Sequence, residues 1–172
     1  MKFLELAKRR ASVRQFTAEP VSAEVRDRIL TAGQVAPTAC NRQPQRILVV
    51  ESAEGRAKAA RAANIFAAPL LFIICAEPAD AWQREYDGMN SYQIDVSIVT
   101  DHMMLATADE GLGSVWICHF KPEILRQEFS LPETLIPVNL LAVGHPAKAL
   151  PSPDRHCSTR KPLHDTVFFE KF

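Results

Sequence analysis

From Tyr92 to Glu110 the chain runs without glycine or proline, and Ile94, Val96, Ile98, Val99, Met103, Met104, Leu105 and Ala106 spread over most of a helical circumference. A helix that is apolar on nearly every side has to be buried, either at the centre of its own domain or against a second copy. Gly111 supplies its C-terminal stop. The remaining elements must therefore be laid around this segment. A chain of 172 residues is long enough to do so as one domain, burying about 70% of its unfolded surface.

Helical spacing of Phe3, Leu4, Leu6 and Ala7 predicts an amphipathic helix over 2–10, and Ser22 caps a second over 23–35. Ser52 caps a third over 53–63. Pro122 opens a short fourth that ends near Phe129. Strands are read at 47–50, 70–76, 114–120 and 138–143. Residues 77–91 are a long loop or a broken helix, and loops of this length are often lids. This alternation of helices and strands by itself favours a parallel, doubly wound sheet. No Gly-x-Gly-x-x-Gly follows any strand, so the dinucleotide fingerprint of that fold is missing.

Two polar stretches carry the candidate chemistry. In Ala11 to Phe16 an extended backbone puts Arg10, Ser12 and Arg14 on one side and Val13 in the core. Two guanidinium forks and a hydroxyl suit a phosphate dianion, although basic turns of this kind also occur without a ligand. In Ala36 to Val50, Pro37 ends the preceding helix and Pro44 biases Gln43 toward extended geometry, which would turn Asn41 and Gln43 to the same side. Side-chain amides can read the edge of a planar heterocycle such as flavin, pyrimidine or nicotinamide. They equally cap helix ends and satisfy turns, and composition alone favours that use.

Lysine plus arginine equal aspartate plus glutamate at 20 each, so no global field draws nucleic acid or an anionic membrane, and any anion site has to be local. The longest apolar run, 65–76, is too short to span a bilayer and is interrupted by Pro69. Charges at Lys2, Glu5 and Lys8–Arg10 break up any signal-peptide core, so a cytoplasmic location with reduced Cys40, Cys75, Cys118 and Cys157 is expected. His119, His145, His156 and His164 with Cys118 and Cys157 lack paired ligand spacing, so no metal site is expected. The tail from Leu150 ends in Thr166-Val-Phe-Phe-Glu-Lys-Phe172, an aromatic density that calls for a docking surface.

Five stretches occur together: Arg10-Ala-Ser-Val-Arg-Gln-Phe16, Ala36-Pro-Thr-Ala-Cys-Asn-Arg-Gln-Pro44, Gly111-Leu-Gly-Ser-Val-Trp-Ile117, Pro137-Val-Asn-Leu-Leu-Ala-Val-Gly-His-Pro146 and Arg160-Lys-Pro-Leu163. In order and spacing they resemble the FMN-dependent nitroreductase family across nearly the whole chain. The resemblance implies one α+β domain over residues 1–172, with a mixed, largely antiparallel sheet flanked by helices. It also implies an intertwined homodimer with FMN at the subunit interface and the tail, from about residue 150, docking on the partner subunit. By motif, Arg10, Ser12 and Arg14 would hold the FMN phosphate and ribityl chain, joined by Arg160. Aligning on Ser12 selects Arg10 over Arg9. Pro37, Thr38, Ala39 and Asn41 would contact the flavin from the partner subunit, with Gln43 in support. Gln45 replaces the family's usual tryptophan.

Cys118 and His119 stand where the family commonly has glycine near the flavin N5 atom. Cys118 is read as a small buried hydrophobe in preference to a reactive thiol. The implied activity passes hydride from NADH or NADPH through FMN to a nitroaromatic, a quinone or a similar small acceptor. The flavin carries that chemistry, no obligate catalytic side chain is assigned, and none of the residues makes a persuasive triad. The alternative is a non-catalytic FMN carrier or redox sensor in which Cys118 and His119 obstruct the nicotinamide.

Overall fold

The computed structural model describes residues 2–172. The elements run α1 (Phe3–Arg9), α2 (Ala23–Gln34), a 3-10 turn (Ala39–Asn41), β1 (Gln45–Val50), α3 (Ala53–Ala62) and β2 (Leu70–Ala76). They continue through α4 (Tyr92–Asp109), β3 (Gly113–Ile117), α5 (Pro122–Phe129) and β4 (Ile136–Gly144). A 3-10 turn (Pro153–Arg155), α6 (His156–Thr159) and a last 3-10 turn (Leu163–Asp165) follow. The strands lie in the order β1-β2-β4-β3, every neighbouring pair antiparallel. An isolated parallel bridge between Ser12 and Ser114 makes the sheet mixed. The parallel arrangement that alternation favours is thereby overturned. After α3 the chain turns through left-handed Phe66 and Ala67 and re-enters the sheet antiparallel to β1.

β2 is buried along its whole length and feeds two cores by strict alternation. Leu70, Phe72 and Ile74 meet Ile29 of α2 and Val96, Val99 and Met103 of α4. Leu71, Ile73 and Cys75 meet Ala59 and Ala62 of α3 and Leu125 of α5. Helices therefore cover both faces of the sheet. Pro137 has no N–H to give a ladder, and the β2–β4 register shifts at that level, between Ile74 and Cys75. With β4 irregular there, β3 pairs only as far as Ile117 opposite Leu140, three residues short of the expected 114–120.

Helix α4 takes the central place that its composition demands, but the chain covers one side of it. Val96, Val99, Thr100, Met103 and Thr107 are buried, whereas Ile94 is 54% exposed. Residues 77–91 form an ordered loop, reversed at an antiparallel Gln83–Asn90 bridge and braced by an Arg84–Asp87 ion pair of 2.5 Å.

The extended segment after α1 is laced to the edge of the sheet. Val13 N–H donates to the Ser114 carbonyl at 2.8 Å, Thr17 N–H to His145 at 2.9 Å, and Ala147 N–H to Gln15 at 3.0 Å. The close approach requires glycine at 113, where a Cβ would stand 2.8 Å from Val13 Cβ and 2.6 Å from its Cγ2. Gly113→Ala should therefore lower stability by roughly 1–3 kcal/mol by overpacking, read as a shift in the urea midpoint, and Val13→Ala in the same chain should restore part of it. An unchanged midpoint for Gly113→Ala would show that the segment is not held by this contact.

Candidate cofactor site

The candidate residues fall into two groups at different levels of α4. In the first group the backbone alternates as the sequence requires: Ala11 and Val13 are buried, Ser12 and Arg14 exposed, and Arg10 half-buried. The tail meets this group through Arg155, which the sequence did not single out. The short helix α1 leaves its last carbonyls without intrahelical partners. Arg155 satisfies that end, donating to the carbonyls of Lys8 at 3.0 Å and Arg10 at 2.6 Å. The His156 Nε2 atom lies 3.2 Å from the Lys8 carbonyl oxygen. Arg160 Nε donates to His156 Nδ1 at 3.3 Å, so Arg160 is drawn toward Arg10.

The consequence is a concentrated positive charge. Burial first, and then the charges of Arg155 and Arg160, pull the Arg10 guanidinium below its ordinary value, with Asp101 acting in the opposite sense. Among the described residues no carboxylate forms an ion pair with Arg10, Arg14 or Arg160. Residues 155–156 of the tail thus dock on their own chain's α1. Beyond them Leu163, Val167, Phe168, Phe169 and Phe172 are exposed, with the Phe168 and Phe172 rings 5.0 Å apart.

The second group is the loop from Pro37 to Gln43, and here the expectation of an extended chain fails. Cys40, Asn41 and Gln43 take left-handed φ values of 50°, 53° and 51°, so Asn41 and Gln43 do not project as strand neighbours. Internal hydrogen bonds win over the bias that Pro44 imposes. Thr38 Oγ1 accepts from Gln43 N–H at 3.0 Å, the Thr38 carbonyl from Asn41 N–H at 2.9 Å, and the Asn41 carbonyl from the Gln43 side-chain amide at 3.1 Å. Gln43 is thereby a brace, while the Asn41 side chain is left exposed. Ala39 N–H donates at 2.8 Å to Asp95, a carboxylate in the first turn of α4 that is only 1% exposed. Asp95 was not read from the sequence; its signal is a single acid among core positions of an apolar helix.

The loop is anchored at Asp95, whereas Arg10 and Ala11 line a small cavity with Ala108. Asp95 and Ala108 are thirteen residues apart on α4, about 20 Å along its axis. Between them runs an open, largely apolar groove of about 620 Å³ lined by Gln93, Ile94, Ser97, Ile98, Asp101 and Trp116. Behind it Asn139 Oδ1 accepts from Trp116 Nε1 at 2.8 Å, and Asn139 Nδ2 donates to Thr100 Oγ1 at 3.2 Å. Cys118 and His119 follow the end of β3 and are exposed, so the reading of Cys118 as buried packing is corrected. The strand stops at Ile117, and the Cys118 thiol lies 3.8 Å from the Asn139 carboxamide oxygen. Among the described residues no group of three or more His, Cys, Asp or Glu is arranged to hold a metal ion. Nor is any helix among them long and apolar enough to cross a membrane.

Comparison with known proteins identifies the family and the fold. A sequence model of the Nitroreductase family matches residues 7–65 and 57–145. A crystal structure of a nitroreductase family protein from Clostridium difficile 630 is 46% identical, with each chain covered over 100% of its length and a TM-score of 0.98. The FMN reductase [NAD(P)H] of Bacillus subtilis is 30% identical over 155 residues, which is 79% of this chain and 62% of that protein. A structure from Exiguobacterium sibiricum 255-15 in complex with FMN shares the fold, with a TM-score of 0.84 at 21% identity over 99% of this chain and 98% of that one. The chain belongs to the nitroreductase family.

The four thiols separate cleanly. Burial pushes Cys75 up to about 11, while Cys40, Cys118 and Cys157 are exposed. A maleimide at neutral pH should modify those three in the native protein and Cys75 only after unfolding; native labelling of Cys75 would contradict the packing of β2. The sign of the pH dependence follows. The unfolded thiol ionises from about 9 and the folded one from about 11, so the Cys75 contribution is intact below pH 9 and is lost as pH rises through that window. Cys75→Ala should flatten the alkaline fall in stability there.

Proposed function

We propose that this chain is an FMN-dependent oxidoreductase that takes hydride from NADH or NADPH and delivers electrons to a small acceptor such as a nitroaromatic or a quinone, acting as a homodimer. The observation that carries the reading is the gathering of Arg10, Arg155 and Arg160, none of them ion-paired with a carboxylate among the described residues, in a chain with no net charge to draw an anion elsewhere. Such a cluster lowers the stability of the protein alone and fits a phosphate dianion. The names of the relatives agree, the Bacillus subtilis protein being an FMN reductase [NAD(P)H].

Arg10, Ser12, Arg14 and Arg160 would hold the phosphate and ribityl chain, and Arg155 aligns the backbone on which Arg10 stands. Pro37, Thr38, Ala39 and Asn41 of a second copy would face the ring system. The Ala39 N–H is already taken by Asp95, so Ala39 offers its methyl group, and Asn41 offers an exposed amide edge. Bound FMN supplies a two-electron carrier that one reactant can reduce and another reoxidise. The chain's own work is to orient the carrier, neutralise its phosphate and keep one cleft open beside Trp116, Cys118 and His119 for each reactant in turn.

Two features support the homodimer. The α4 groove with exposed Ile94, the exposed Phe3 and Leu4 of α1, and the aromatic tail leave apolar surface uncovered. The two candidate groups also lie at different levels of α4, and two copies related by a two-fold axis across that helix would bring the loop of one toward the arginines of the other. The segment after Leu163 would then dock on the partner subunit.

The purified protein should carry a flavin absorption spectrum that bleaches anaerobically with NADH or NADPH and returns on adding a quinone, with ping-pong kinetics. A flavin that is bound but never reduced would replace the enzyme by a carrier or sensor; absence of flavin binding would overturn both. Arg14→Ala and Arg160→Ala should each weaken FMN by roughly ten- to a hundredfold, as for lost charge-assisted hydrogen bonds, and leave riboflavin almost unchanged. Equal losses for the two ligands would assign these arginines to the fold.

A further inference from the structure

The loop from Thr38 to Gln43 holds three non-glycine residues in left-handed backbone: Cys40 at φ 50°, Asn41 at 53° and Gln43 at 51°. Residues other than glycine adopt this region at a cost and stay there only when their surroundings fix them. Most of the fixing bonds are local to the loop. One comes from the core: Asp95 Oδ1 accepts the Ala39 N–H at 2.8 Å. The other carboxylate oxygen accepts from Ser91 Oγ at 2.7 Å, and Ser91 N–H in turn donates to the Trp82 carbonyl at 2.9 Å. One carboxylate, 1% exposed, therefore joins the strained loop, the 77–91 loop and the first turn of α4. A carboxyl group this deeply buried is tolerated only with partners, and Asp95 has a hydrogen bond on each oxygen at the N-terminal end of α4.

We infer that Asp95 is a positioning residue for the ring-facing half of the proposed flavin site, holding the loop through the Ala39 N–H without itself touching the ligand. The inference rests on the function proposed above. It separates two kinds of residue within one site. Arginines act on the phosphate, which only FMN has. Asp95 acts on the part that recognises the ring, which FMN and riboflavin share.

The test is titration of wild type, Asp95→Ala, Asp95→Asn, Ala39→Pro and Ala39→Gly with FMN and with riboflavin, each variant first checked for native circular dichroism. Asp95→Ala should weaken both ligands by the same factor, about tenfold, as for a donor left without its buried partner. Asp95→Asn keeps an acceptor for Ala39 and should recover most of the affinity, a rescue that bulk loss of stability would not produce. Should Asp95→Ala fail to fold, Ala39→Pro decides when set against Ala39→Gly. Proline removes the donor and leaves α4 untouched, whereas glycine keeps the donor and removes only the methyl group proposed to face the ring; a loss in both alike overturns the inference. Proline is compatible there, because Ala39 opens the 3-10 turn behind an extended Thr38 (φ −131°, ψ 155°). Wild-type affinity for both ligands in a folded Asp95→Ala or Ala39→Pro protein overturns the inference, as does a loss confined to FMN. Wild type that binds neither flavin overturns the proposed function and takes this inference with it.

Discussion

Helix α4 has apolar surface on more sides than one sheet can cover. Val96, Val99 and Met103 pack against β2 and α2, and each fully buried side chain of this kind is worth about 1.5–3 kcal/mol. On the other side Ile98 and Trp116 are only partly buried and Ile94 is exposed, along an open groove. The helix is thus core for one layer and surface for another, and the groups proposed to hold a cofactor are attached at its two levels. A second copy laid on the open side would bury the groove and complete the site in one step.

The candidate site combines two compromises with stability. At one level, like charges converge: burial and the neighbouring Arg155 and Arg160 disfavour the charged form of Arg10. An anion bound there, as proposed, would offset that cost, so the protein without ligand should be the less stable form by linkage. At the other level, left-handed Cys40, Asn41 and Gln43 are held by hydrogen bonds to Thr38 and to Asp95. Strain fixed in advance reduces the ordering cost that binding would otherwise meet.

Much of this was legible in the residues. The central helix, the alternating burial around Val13 and the positions of the strands follow from periodicity. The direction of the strands does not, because alternation of helix and strand is compatible with both parallel and antiparallel pairing; the resemblance supplied it. Local rules also misread the Pro37–Pro44 loop, since the bias of a residue before proline is smaller than the sum of the bonds that Thr38 and Gln43 make. The exposure of Cys118 depends on where β4 becomes irregular, at Pro137 and the register shift opposite Ile74 and Cys75, which no pattern at Cys118 announces. Asp95 and Arg155 share a reason for being missed. Each acts on backbone far away in sequence, so their partners are decided by the tertiary fold.

The central claim is that one flavin site is completed by two chains, and subunit exchange tests it most directly. One chain would carry Arg10→Ala with Arg160→Ala, disabling the phosphate half, and the other Asn41→Trp, disabling the ring half. Neither homodimer should bind FMN. After random exchange, a site shared between subunits is intact once in every mixed dimer, so FMN binding should return to about a quarter of the wild-type stoichiometry. A site built within a single chain would leave the mixture as inert as its parents, and that result would contradict the account.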